Sequence, residues 1–133
     1  MNTTSGDSEK MKTRYQDITT FVTRDGSVIR ELMHPGLHAK TLGCLHQSLA
    51  EATVSPGEVT RLHRHHRSEE LYHVTRGQGR MSLAAETFDV TMGDTVCIPA
   101  GTPHCIENTG NSDLTILCCC APPYAHEDTE LLE

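Results

Sequence analysis

From Ile18 onward the chain is a succession of short apolar runs separated by turn residues, and no segment sustains the 3.6-residue apolar period of an amphipathic helix. Asp25-Gly26 divides "TFVTR" from "SVIREL", and Ser55-Pro56-Gly57 ends "SLAEATV". Both are residue combinations that set or permit the backbone angles of tight turns. Gly77-Gln78-Gly79 separates "ELYHVT" from "RMSLA", Met92-Gly93-Asp94 precedes "TVCIP", and Asn108-Thr109-Gly110-Asn111 precedes "LTILCCC". Breaks recurring at roughly 8 to 12 residues predict an all-β sandwich or barrel. A closed or nearly closed barrel also removes exposed strand edges. Before this region, residues 1–15 are polar and are expected to form a flexible N-terminal segment. After it, "APPYAHEDTELLE" opens with two prolines that stop a strand and then turns acidic. The expected organisation is a single barrel domain over residues 16–122 and an acidic C-terminal tail at 123–133, either solvated or folded over the body.

At 133 residues the chain has the length of one domain. Its formal charge of −7 leaves no broad basic surface to neutralise a phosphate backbone, so nucleic acid is not an expected partner. No apolar run approaches the roughly 20 residues of a membrane span, and "MNTTSGDSEKMKTRY" lacks the apolar segment of a signal peptide. A cytoplasmic location is expected, with no membrane contact. The six cysteines, Cys44, Cys97, Cys105, Cys118, Cys119 and Cys120, form no C-x-x-C pair and read as reduced, packed thiols. In a strand, Cys119 points away from Cys118 and Cys120.

The chemistry concentrates in "RLHRHHRSEELYHVTRG", residues 61–77. If "EVTRLHRH" is a strand, His63 and His65 share one face, with Cα atoms about 6.6 Å apart. His66 then points the other way. A return strand starting near Glu70 sets that carboxylate opposite the two imidazoles, since facing residues on antiparallel strands lie about 5 Å apart. Glu69 falls on the outward parity, as does His73. Inward His and Glu are costly to bury without compensation, and "GDTVCIPAGTPHCIEN" offers a further ligand, His104, after a Gly- and Pro-shaped turn. Three neutral imidazoles and a carboxylate suit a divalent Fe, Mn, Ni, Cu, Co or Zn ion and leave about two octahedral positions open. Arg61 shares parity with His63 and is a candidate for holding an anionic substrate group. Tyr72 shares parity with Glu70 and is a candidate hydrogen-bond donor or proton shuttle. His34, His38, His46 and His126 are scattered and support no claim.

Residues 57–77 read G-x(5)-H-x-H-x(4)-E-x(6)-G through Gly57, His63, His65, Glu70 and Gly77. Residues 93–108 read G-x(5)-P-x-G-x(2)-H-x(3)-N through Gly93, Pro99, Gly101, His104 and Asn108. In order and spacing this pair resembles the two motifs of the cupin superfamily. Segments outside the motifs are similar to short bacterial cupins carrying a mannose-6-phosphate-isomerase-like label. The resemblance implies a small jelly-roll β-barrel in which His63, His65, Glu70 and His104 bind one divalent metal ion, and it implies a homodimer. It points to a small-molecule metalloenzyme. With no evident second base in the sequence, a dioxygenase is slightly favoured over an isomerase or lyase. The alternative is a non-catalytic cupin that binds a small ligand or a metal.

Overall fold

The computed structural model describes residues 12–38 and 46–133, and the chain is almost entirely β as the turn pattern predicts. Residues 1–11 and Cys44, on which two of the expectations fall, lie outside the described residues. Of the expected N-terminal segment, Tyr15–Asp17 form a single 3-10 turn, and Thr13 Oγ1 donates to the main-chain oxygen of Leu32.

Eleven strands follow among the described residues: β1 (Phe21–Val22), β2 (Val28–Met33), β3 (Ser48–Val54), β4 (His63–His65), β5 (Glu69–Arg76), β6 (Gln78–Leu83), β7 (Glu86–Thr91), β8 (Thr95–Ile98), β9 (His104–Asn108), β10 (Leu114–Ala121) and β11 (Thr129–Leu131). They build two antiparallel sheets, ordered β1-β2-β3-β10-β5-β8 and β11-β4-β9-β6-β7. This is the jelly-roll arrangement of two facing sheets.

Alternation decides which side chains enter the space between the sheets. Along β10, Leu114, Ile116, Cys118 and Cys120 are buried while Thr115, Leu117, Cys119 and Ala121 are not, so Cys119 does turn away from its neighbours. The densest part of the core joins Leu114 and Ile116 to Val74 on β5, Met81 on β6, Ile98 on β8 and Ile106 on β9, each at most 2 % exposed. Burying such a side chain contributes about 1.5–3 kcal/mol. This apolar plug occupies one end of the barrel. The other end is different. In the first sheet the register lines up Glu31, Ala50, Cys118 and Tyr72 across β2, β3, β10 and β5, and beside them Ser48, Cys120 and Glu70. At this end of β3 the inward side chains are Ser48, Ala50 and Ala52, while Val54 belongs to the apolar core. Small residues there leave a cavity of about 50 Å³ between the sheets, room for one or two waters or a small ligand.

The C-terminal residues fold over the body. A 3-10 turn at His126–Asp128 leads into β11, which pairs with β4 so that Thr129 faces His65, Glu130 faces Arg64 and Leu131 faces His63. A barrel boundary at residue 122 therefore omits a strand of the second sheet. Buried Asp128 explains the docking. Its carboxylate accepts the main-chain N–H groups of Arg67 and Ser68 in the β4–β5 turn, at 2.9 to 3.2 Å.

Candidate metal centre

β4 is shorter than "EVTRLHRH" suggests: Val59 forms only an isolated bridge to Glu107, and the strand proper is His63–His65, paired with β11 along its length and with β9 through the single pair His63 with His104. That pairing brings the histidines together. His63, His65 and His104 are 3 %, 4 % and 0 % exposed, and their ligand atoms lie within 4.8 Å of one another.

Each imidazole has its Nδ1 engaged. His63 Nδ1–H donates to Arg61 O at 2.8 Å, and His104 Nδ1–H donates to Thr102 O at 2.9 Å. His65 Nδ1 lies 2.9 Å from Thr129 Oγ1, whose own proton is donated to Ala125 O at 2.9 Å, so the hydroxyl accepts from the imidazole. In all three rings the neutral tautomer is fixed with the proton on Nδ1, and the Nε2 lone pair is left for the interior.

Glu70, on β5 of the opposite sheet, faces this cluster. Its Oε1 is 3.3 Å from His65 Nε2 and 3.5 Å from His104 Nε2, and its Oε2 accepts the Cys120 thiol at 3.3 Å. Burial pushes the Glu70 carboxyl up, while the His104 and His65 imidazoles beside it pull it down whenever they carry a proton toward it. Burial, then His104, pushes the His63 imidazole down. Glu70 Oε1 and His104 Nε2 are both buried with no hydrogen-bond partner. With the imidazole proton on Nδ1, two lone pairs confront each other across 3.5 Å, and cis ligands about 2.1 Å from an ion sit only about 3 Å apart. A cation between them satisfies both, so the residues present fit a metal ion.

Tyr72 lies at the cavity wall, buried, with its ring 5.9 Å from that of His104. Burial, with Glu70 next, pushes its phenol well up, which keeps it a proton donor. Arg61 does not join the site. The strand starts after it, so the parity shared with His63 does not extend back that far, and its exposed guanidinium donates to the main-chain oxygen of Glu133. Glu69 is outward and exposed, as expected. His66 and His73 also sit outside, bonded to Glu130 and Thr95.

Three contributors were missed. Asp25, read only as a turn residue, is buried at the cavity, its Oδ1 accepting from Thr23 and Ser27 and its Oδ2 3.7 Å from His63 Nε2. Glu31 is a buried carboxyl on the inward face of β2. Thr129 reaches the site from a segment read as a tail. For Glu31 a signal did exist: an acidic residue at an inward position of "SVIREL".

A cupin domain model matches residues 50–120. The chain belongs to the cupin family. An uncharacterized protein of Methanocaldococcus jannaschii is 53 % identical to this cupin over 92 % of the chain and 95 % of its own length. The oxalate-binding protein of Thermotoga maritima is 34 % identical over 51 % of the chain, and that match spans about half (56 %) of the relative. Among solved structures, the formate complex of Lactobacillus farciminis oxalate decarboxylase superposes with a TM-score of 0.74 at 21 % identity, covering 88 % of this cupin and 34 % of the larger enzyme. That is a likeness of fold.

Proposed function

We propose that this cupin is a mononuclear divalent-metal enzyme that acts on a small molecule by proton-transfer chemistry of the lyase or isomerase type. The observation that carries the reading is the pair of buried, unpartnered lone pairs on His104 and Glu70, facing each other beside two more imidazoles whose tautomers are fixed. His63, His65, His104 and Glu70 are the proposed ligands. These borderline donors accept divalent Mn, Fe, Co, Ni, Cu or Zn. When bound, such an ion supplies a Lewis acid that polarises a carbonyl or carboxylate oxygen of the ligand.

The chain's own residues do the rest. Tyr72, kept protonated by burial, donates to the developing negative charge. Asp25, pinned through Oδ1 by Thr23 and Ser27, presents Oδ2 as a proton acceptor beside His63. The sequence favoured oxygen chemistry only because it offered no second base, and Asp25 removes that reason. The small cavity limits the ligand to a few non-hydrogen atoms. The names of the oxalate-binding relative and of the oxalate decarboxylase sharing the fold agree with a small ligand and, for the latter, with lyase chemistry.

Elemental analysis of protein purified without added metal, next to His63→Ala and His104→Ala, tests the centre. About one metal per chain, lost in both variants, is expected. Substrate-dependent product formation without oxygen consumption supports the reaction class. Consumption of oxygen overturns that class, and binding without turnover reduces the protein to a ligand-binding cupin.

A further inference from the structure

Glu31 is used by neither the proposed ligand set nor the proton-transfer pair, yet it is the most conspicuous unsatisfied group in the cavity. It is 5 % exposed, it lines the cavity, and its Oε1 has no hydrogen-bond partner. Among the described residues no Lys or Arg lines the cavity beside it. His34, just past the end of β2, accepts the Gly36 N–H at Nδ1 and donates from Nε2 to Tyr124 O, so both its nitrogens are spent. Arg30 is next in sequence but belongs to the outer face, where its guanidinium serves Tyr15, Ile18 and Glu51. Among the described residues the other carboxylic acids lining the cavity are Asp25 and Glu70.

A buried carboxyl without a donor costs free energy, and burial accordingly pushes the Glu31 carboxyl up. The side chain across the register from Glu31 is only Ala50, so open volume adjoins the carboxyl. A ligand group that enters this volume meets a carboxylate with no competing partner. An anion is opposed there by Glu31 and Asp25. A hydroxyl makes one neutral bond, whereas an ammonium group makes a charge-assisted one and relieves the desolvated charge. We propose that Glu31 forms a cation subsite in the cavity and selects a small ligand bearing a protonated amine. The proposal deepens the metal-enzyme reading by naming a substrate class, and it excludes a bare dicarboxylate as the preferred ligand.

The test uses two probes with four non-hydrogen atoms each, propylamine and 1-propanol, titrated into the full-length protein by protein-observed NMR. Parent and Glu31→Gln are compared, as purified and again after chelation, with metal content measured on every sample. The expected result is saturable propylamine binding at least tenfold tighter than 1-propanol in the parent, with that preference lost in Glu31→Gln at unchanged metal content. Equal binding of the two probes by the parent, no saturable propylamine binding, or an unchanged preference in Glu31→Gln overturns the subsite. If Glu31→Gln does not fold, the parental ranking decides alone. Absence of metal from the parent sinks the metal-enzyme reading separately, since the amine preference is also read in the chelated protein.

Discussion

Replacing Thr129 with valine keeps the volume and the β-branch of the side chain and removes one hydroxyl. That hydroxyl links Ala125 O to His65 Nδ1 through two 2.9 Å hydrogen bonds, with Thr129 6 % and His65 4 % exposed. Without it, the tautomer that presents Nε2 to a metal leaves a buried Nδ1–H with no acceptor, a cost of about 1–3 kcal/mol. The metal-free protein has an escape: a proton moved to Nε2 donates to Glu70 Oε1, 3.3 Å away. The metal-bound form has none, because Nε2 is then a ligand. The penalty therefore falls on metal affinity, which should drop about 10- to 100-fold, while the metal-free protein loses little thermal stability. Thr129→Ser should restore the affinity. Competition against a chromophoric chelator gives the affinities, and calorimetry of the metal-free proteins gives the stabilities. Valine binding metal within twofold of the parent would refute the role of the hydroxyl, as would an equal loss of stability without metal.

Metal occupancy should fall on acidification only below about 6.5, the ordinary histidine value, because burial pushes His63 down and keeps it neutral to lower pH; dialysis at graded pH followed by elemental analysis reads the midpoint, and loss beginning above pH 7 contradicts the assignment. For Glu31 the folded-state pKa is raised, so the folded protein holds the proton more tightly than the unfolded chain, and stability is lost as pH rises from about 4.5 through the folded value. Metal-free Glu31→Gln should therefore melt higher than the parent at pH 7 and equal to it near pH 4, and a lower melting point at pH 7 counts against the unpartnered carboxyl. Gly79→Ala places a Cβ 2.6 Å from Glu107 O and 2.9 Å from Leu114 Cδ2, forcing β6 away from β9. A loss of about 1–3 kcal/mol is expected in urea unfolding, and a neutral result shows that the ladder yields more easily than its packing implies.

The legible part of the site is the part written in local alternation. His63 and His65 two apart, Glu70 on the returning strand and His104 after its turn needed only the period of a strand to converge, and Glu69, His66 and His73 were placed outside by the same rule. Arg61 shows where the rule stops: the chain is bridged to β9 at Val59, but between that bridge and β4 the alternation breaks, and the Arg61 N–H donates to Asp25 O instead of to a ladder partner. Thr129 was illegible for another reason. Its contact with His65 spans 64 residues, and "HEDTEL" carries no strong strand pattern of its own. What makes it a strand is β4, which has a free edge, and Asp128, which caps the turn beyond it. Asp25 and Glu31 were visible as residues, but their role depends on small side chains on β3 that open space in front of them.

The pairing of β4 also sets a schedule for biosynthesis. The strand that carries two of the histidines shares one residue pair with β9 and three with β11. A nascent chain made through β10 already contains both motifs, yet its His63–His65 segment still lacks most of its hydrogen-bonding partners. Because synthesis delivers the N-terminal portion first, the geometry at His65 is completed only when the strand at 129–131 has been made and docked. The orientation of His65 thus belongs to the end of folding, and a pause or cleavage before residue 129 leaves the motifs intact but His65 without the Thr129 contact that fixes its tautomer.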